Sequence, residues 1–292
     1  MFVVAGVTGH TGRAVAETLL AQGEPLRVLV REAGQAVAWK ERGAEVAVVS
    51  LADAAALAQA LAGARGAYLL LPPRYDAEDM LAVQRTMSEA MAQAVRKSAV
   101  PHVVLLSSLG AELSEGTGPI KGLHQLERVV GKAATNLTVL RAGYFFENFA
   151  SVLPAVQGGA LPTFLTPGHA LRMVATADVG RAAAEALLEP ATGSRIIEVT
   201  HPRDYTPEDV ARELSAVLGR TVTLQPGPLD AVVPAFTGMG FPQSVAELVR
   251  EMIGALNQGR VVRQGPPALR RFGQLGAGEA LRPLLSGVPM HA

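Results

Sequence analysis

The 292-residue chain has no cysteine, and that absence removes disulfides, thiolate nucleophiles and Cys-ligated zinc at once. Charge is sparse at 18% and evenly divided, with 26 basic and 26 acidic residues, so no net field draws the protein to nucleic acid or to an anionic membrane. No uninterrupted apolar run reaches the length of a membrane span, because Pro, Gly or a charge breaks each one. The first apolar strand starts at Phe2, with no charged leader before it, and a soluble cytoplasmic protein without a signal peptide is expected. The six histidines show neither H-x-x-x-H nor H-E-x-x-H spacing, so no metal site is expected. G-x-S-x-G and Walker motifs are also missing, which argues against an α/β-hydrolase and a P-loop enzyme.

What is present is apolar, at 49% of residues, and strongly patterned. Strand-like runs at 2–5, 26–30, 45–49, 67–71, 102–107 and 137–141 alternate with helical segments at 11–21, 35–42, 53–62, 77–98 and 120–132. Near-continuous apolar strands separated by helices predict a doubly wound parallel sheet of the Rossmann type, covered on both faces. Residues 1–150 are read as the dinucleotide-binding domain, with 172–200 returning to it through a helix at 176–188 and a strand at 195–199. Residues 151–171 and 201–292 are read as a smaller, interleaved α/β lobe over the cofactor mouth. Within it, Thr206-Pro207-Glu208-Asp209 carries a Thr N-cap, a Pro at the first helical position and an acid at N3, predicting a helix over 207–218. A short strand at 221–224 and a helix at 245–256 follow, and 259–292 is left as a lid, tail or dimer contact.

The chemistry-bearing segment is Gly6-Val-Thr-Gly-His-Thr-Gly12, where a strand runs into three glycines and straight into a helix. Small residues there let the backbone approach a pyrophosphate at the positive end of the helix dipole. Gly6 serves the tight turn, Gly9 the close approach and Gly12 the packing of helix on strand, with Thr8, His10 and Thr11 in the same loop. Arg31 ends the second strand, 19 residues after Gly12, where an acid would accept from the ribose hydroxyl and an Arg pairs with a 2′-phosphate. NADP(H) is therefore favoured, with NAD(H) possible because Glu32 adjoins Arg31. Arg13 is a candidate second positive group.

Taken together, Gly-Val-Thr-Gly-His-Thr-Gly-Arg at 6–13, Val-Leu-Val-Arg at 28–31, Leu-Leu-Ser-Ser at 105–108 and Leu-Arg-Ala-Gly-Tyr-Phe-Phe-Glu-Asn-Phe at 140–149 resemble the NmrA-like group of atypical short-chain dehydrogenase/reductases. That resemblance implies that Leu71, Pro72, Pro73, Ser107, Ser108, Gly143, Tyr144, Phe145 and Phe146 surround the ribose and nicotinamide. It also implies either a reductase of quinones or double bonds, or a redox sensor that binds the cofactor without turnover. The Tyr-x-x-x-Lys pair of ordinary short-chain dehydrogenases is absent, since Tyr68, Tyr75, Tyr144 and Tyr205 are followed at that spacing by Pro72, Asp79, Asn148 and Asp209. The position where catalytic relatives carry a lysine falls on Leu123. His124, Tyr144 and Lys121 remain as candidate proton donors, each with an ordinary structural alternative. A small apolar carbonyl, quinone or enone is the expected substrate, with Phe236, Met239, Phe241, Leu248 and Met252 suited to it or to an ordinary core. The oligomeric state stays open, with a dimer among the alternatives.

Overall fold

The computed structural model describes residues 1–190, 192–262 and 269–285. Its first half alternates strictly: β1 (Phe2–Val4), α1 (His10–Ala21), β2 (Leu26–Val30), α2 (Val37–Glu41), β3 (Glu45–Val48), α3 (Ala54–Leu61), β4 (Gly66–Leu69), α4 (Met80–Ser98), β5 (Val103–Ser108), α5 (Ile120–Gly131) and β6 (Leu137–Ala142). The second half is less regular: β7 (Tyr144–Phe145), α6 (Leu153–Gln157), β8 (Ala160–Thr163), β9 (Met173–Val174), α7 (Thr176–Leu188), β10 (Ser194–Thr200), α8 (Pro207–Leu218), β11 (Thr223–Pro226), α9 (Val232–Gly238), α10 (Gln243–Asn257), β12 (Leu269–Phe272) and α11 (Ala277–Leu285).

Eight strands form one wholly parallel sheet in the order β12-β10-β6-β5-β4-β1-β2-β3. Successive side chains point to opposite faces, so each strand feeds two cores. Val4, Val28, Tyr68, Val104 and Leu140 meet α1 and α7 on one face. Val3, Leu29, Leu69, Leu105 and Val139 meet α3, α4 and α5 on the other. The chain leaves β1 in one direction for β2 and β3 and in the other for β4 onward, which places the switch point between β1 and β4. Residues after β1 and β4 therefore share one crevice at the carboxyl end of the sheet.

Local chemistry sets the boundaries. Asp53 caps α3 by accepting from Ala55 N and Ala56 N at 3.0 Å, and Asp79 caps α4 through Ala82 N at 2.9 Å. The capping box expected at Thr206 and Asp209 is present, and α8 spans 207–218 as read from the sequence. A third apolar cluster, with Phe146, Phe149, Leu161, Met173, Tyr205, Val210, Leu214 and Leu281, lies outside the sheet's own two layers. One segment differs from the expected division: Leu269–Phe272, read as part of the smaller lobe, pairs in parallel with Ile197–Thr200 as the edge strand of the main sheet. An edge strand has a single partner and exposed residues, here Leu269 and Phe272, so its apolar pattern is too weak to betray it. Of the expected lid or tail at 259–292, residues 263–268 and 286–292 lie outside the described residues, and α11 occupies Ala277–Leu285.

Candidate functional site

The glycine loop forms the centre of the crevice, and its three glycines differ physically. Gly6 has φ +70°, a left-handed conformation that a side chain resists. Gly12 lies so close to the strand that a Cβ would come within 2.4 Å of both the Ala5 and Gly6 carbonyl oxygens. Gly9 is different: a Cβ there would meet only the Gly6 carbonyl, at 3.5 Å, and the residue is exposed. The fold thus demands glycine at 6 and 12 but leaves open space beside Gly9. Helix α1 starts at that space with no side-chain cap and no acid in its first turn. Its amino-terminal N–H groups and dipole suit an anion, and the space beside Gly9 admits one, so the loop fits a dinucleotide diphosphate. His10 opens the helix half-buried; burial, and then the charge of Arg13, hold its imidazole below the ordinary histidine pKa.

Arg31 is exposed at the end of β2, and no hydrogen bond or ion pair to its guanidinium occurs among the described residues. Its charge reaches Asp76, which is held below the usual carboxylate range chiefly by a two-point bond from Arg74, at 2.9 Å for each contact. Arg74 and Asp76 belong to the loop after β4, directly beyond Leu71, Pro72 and Pro73. The same loop carries Tyr75, whose ring packs on Phe241 at 5.4 Å, and Phe241 packs on Phe236 at 5.3 Å. Tyr144, half-buried, packs edge-on against Phe149 at 6.2 Å. Burial, and secondarily the neighbouring Tyr75 phenol, push the Tyr144 pKa up to about 12, against a hydrogen bond with Asn148 that lowers it. At neutral pH Tyr144 is a protonated hydrogen-bond donor, with none of the activation a lysine neighbour would give.

The remaining expected residues do not all converge here. Phe146 has no exposed surface and its side chain stacks edge-on with Tyr205 at 4.8 Å in the third apolar cluster. Gly143 is bare because β9 crosses it, and a Cβ would lie 2.5 Å from the Arg172 carbonyl oxygen. Ser107 is 2% exposed and donates to Glu127 Oε1 at 2.5 Å; Ser108, half-exposed, donates to the Leu109 carbonyl at 2.9 Å. Lys121 is paired with Glu251 Oε2 at 2.9 Å, tying α5 to α10 at the edge of a cleft lined by Glu78, Asp79 and Glu247. His124 holds the Ala111 carbonyl at 2.9 Å through Nδ1 and lines a separate cleft with Glu112, Glu127, Arg128 and Arg141. None of these four comes from the loops that carry the glycines, Tyr75 or Tyr144. Leu123, at the expected lysine position, packs against the apolar layer of α3, α4 and α5.

Two residues of the 140–149 signature serve the architecture. Arg141 bridges Glu127 at 2.7 Å and Glu112 at 2.9 Å; burial opposes its charge, but the two carboxylates outweigh burial and keep it protonated. Glu147 is buried and accepts from Thr176 Oγ1 at 2.6 Å and Thr176 N at 3.0 Å, fixing the start of α7, which packs on α1. Asp178, 2% exposed, accepts from Gln274 N at 2.8 Å and Leu275 N at 3.0 Å and anchors the chain leaving β12. Sequence reading missed these roles, as it missed the Tyr75–Phe241 contact, because each joins positions far apart along the chain. Among the described residues no His, Asp and Glu group is arranged to hold a metal, and no helix is long and apolar enough to cross a membrane.

A wholly parallel sheet with a glycine turn at its switch point defines the chain as a Rossmann-type protein. The sequence profile of the NmrA-like family matches residues 1–263, and the chain belongs to that family. An NAD(P)H azoreductase of Xenophilus azovorans is 27% identical over 253 residues, 86% of each chain. Among solved structures, an NADPH-dependent quinone oxidoreductase of Escherichia coli, complexed with NADPH, superposes with a TM-score of 0.77 at 21% identity, covering 98% of this chain and 95% of that one. The triphenylmethane reductase of a Citrobacter species, complexed with NADP(H), gives 0.76 at 22% identity, over 91% and 93% of the two chains. At such identities the two structures speak for the fold.

Proposed function

We propose that the protein is an NADPH-dependent reductase that delivers hydride to a small apolar carbonyl, quinone or enone. The observation that carries this reading is the open space beside Gly9 at the uncapped start of α1, since the fold itself has no use for a glycine there. Arg31, without a protein partner for its guanidinium among the described residues, supports a 2′-phosphate and hence NADPH over NADH. Thr8, His10, Thr11, Leu71, Pro72, Pro73, Ser108, Tyr144 and Phe145 are the other residues proposed to hold the cofactor. A bound nicotinamide would supply the hydride, so the protein's own task is to bind, orient and exclude water. Tyr75, Phe236 and Phe241 offer an apolar aromatic wall to an uncharged acceptor, and Tyr144 offers a hydrogen bond to its oxygen while the proton comes from solvent. The relatives' names, an azoreductase and a quinone oxidoreductase, agree with reduction of conjugated acceptors.

The second reading, a cofactor sensor without turnover, draws on Leu123 packing into the apolar layer and on Lys121 being bound to Glu251, which leave no activated acid in place. Calorimetric titration with NADPH and NADH, followed by nicotinamide absorbance with quinones, enones and an azo dye, separates the two. Acceptor-dependent NADPH oxidation supports the reductase, and tight binding without oxidation across the panel supports the sensor. Absence of binding by either nucleotide overturns both.

A further inference from the structure

The first turn of α1 is seated by more than the glycine loop. It lies between two glycines far apart in the chain: Gly12, close against the Ala5 and Gly6 carbonyls, and Gly180, inside α7. Gly180 is buried, and a Cβ there would lie 2.3 Å from Ala14 Cβ, 2.8 Å from the Thr11 carbonyl oxygen and 3.0 Å from Val15 N. Its backbone is helical, so no turn requires glycine at this position, and glycine inside a helix costs stability relative to alanine. What the missing methyl permits is the close approach of α7 to the turn of α1 that carries Thr11.

The two helices are not held alike. α7 is fastened at its start by two buried carboxylates: Glu147 accepts from Thr176 N and Oγ1, and Asp178 accepts from Gln274 N and Leu275 N. α1 starts with no side-chain cap, and its first backbone bond, from Arg13 N to the Gly9 carbonyl, is 3.2 Å long. A displacement forced between the helices therefore falls on α1, and Gly12 leaves that turn no room to retreat onto β1. The N–H groups that suit the diphosphate belong to this same turn. Resting on the dinucleotide reading above, we propose that Gly180 is a positioning residue for the diphosphate: by admitting Thr11 and Ala14 against α7, it sets where the amino-terminal N–H groups of α1 stand. Gly180 acts through α1 and not by touching cofactor or substrate.

The test is Gly180→Ala in the full chain, with NADPH affinity read by calorimetric titration well below the melting transition and Tm by thermal unfolding. From 2.3 Å, the contact with Ala14 must open by about 1 Å to reach van der Waals distance, and NADPH should bind about ten-fold more weakly. Ala14→Gly removes the nearest obstacle and leaves the Thr11 oxygen at 2.8 Å, so adding Gly180→Ala in that background should weaken NADPH only about three-fold. A helix contact that serves packing alone would lower Tm and leave the affinity of the folded protein unchanged. Equal NADPH affinity of wild type and Gly180→Ala overturns the proposal, and so does a ten-fold loss that persists in the Ala14→Gly background, because the effect then does not pass through Ala14. Should Gly180→Ala alone not fold, the double variant compared with Ala14→Gly decides: about three-fold weaker binding sustains the proposal, and equal affinity overturns it. Failure of the wild type itself to bind NADPH overturns the dinucleotide reading and this proposal with it, a result distinct from equal binding by wild type and variant.

Discussion

Replacing Gly9 and Gly12 separately by alanine should divide binding from folding. At Gly12 the new methyl carbon meets two backbone oxygens at 2.4 Å, a full ångström inside ordinary contact, and neither oxygen can yield without moving β1 or its turn. Overpacking against backbone costs about 1–3 kcal/mol, and the upper half of that range applies here. For a chain of this size each kcal/mol lowers Tm by about 2–4 °C, so Gly12→Ala should melt roughly 4–12 °C below wild type. At Gly9 the methyl meets one oxygen at 3.5 Å, and the backbone, at φ −98° and ψ 179°, is extended and open to alanine. The poorer N-cap propensity of alanine and the reduced freedom of its unfolded chain oppose each other, leaving a net change within about 0.5 kcal/mol. The methyl nevertheless occupies the space assigned to the diphosphate, so NADPH affinity should fall about ten-fold or more, the equivalent of about 1.4 kcal/mol. Calorimetry for Kd and scanning calorimetry for Tm, on the same preparations, decide the matter. An unaltered Kd in Gly9→Ala, or a Tm loss in Gly9→Ala matching that of Gly12→Ala, refutes the reasoning.

Arg31→Ala should weaken NADPH by about ten-fold or more and leave NADH nearly unchanged, since the lost interaction is with the 2′-phosphate alone; parallel titrations with the two nucleotides check it. Tyr144→Phe should lower kcat for a carbonyl or quinone acceptor several-fold while Kd for NADPH changes by less than about two-fold, because the ring proposed to line the cofactor is kept and only the hydroxyl is lost, as read by stopped-flow reduction and titration. Glu147→Gln should alter the pH dependence of stability. Burial raises the Glu147 pKa, so the folded protein holds its proton more tightly, and this group's contribution to stability is lost as pH rises from the ordinary carboxylate value through the raised one. Glutamine keeps an acceptor for Thr176 without that titration, so the Tm difference between Glu147→Gln and wild type should grow in the variant's favour as pH rises above the ordinary carboxylate value. A difference independent of pH counts against the assignment.

The sheet was readable because its signals are local. Apolar runs at 26–30 and 137–141, the helices at 176–188 and 207–218, and the Thr206 cap each rest on residues a few positions apart. The candidate site was readable in part for the same reason: a strand, three glycines and a helix in immediate succession, then Arg31 at the next strand end. For residues assigned by resemblance or by nearness to a motif, the structure adds contacts the sequence did not show: Phe146 packs in a core, Ser107 donates to Glu127, and His124 lines a cleft with Glu112 and Arg141.

The sequence by itself determined the parallel sheet, the glycine turn and the missing Tyr-x-x-x-Lys pair, because periodicity, capping and spacing act within a few residues. Only the tertiary structure decided that Leu269–Phe272 closes one edge of the sheet, that Glu147 fixes the start of α7, and that Phe241 meets Tyr75. It alone showed that Gly9, unlike Gly6 and Gly12, answers to no demand of the fold. Such facts depend on which distant segments arrive at the same place, and contacts between residues far apart along the chain leave no local pattern.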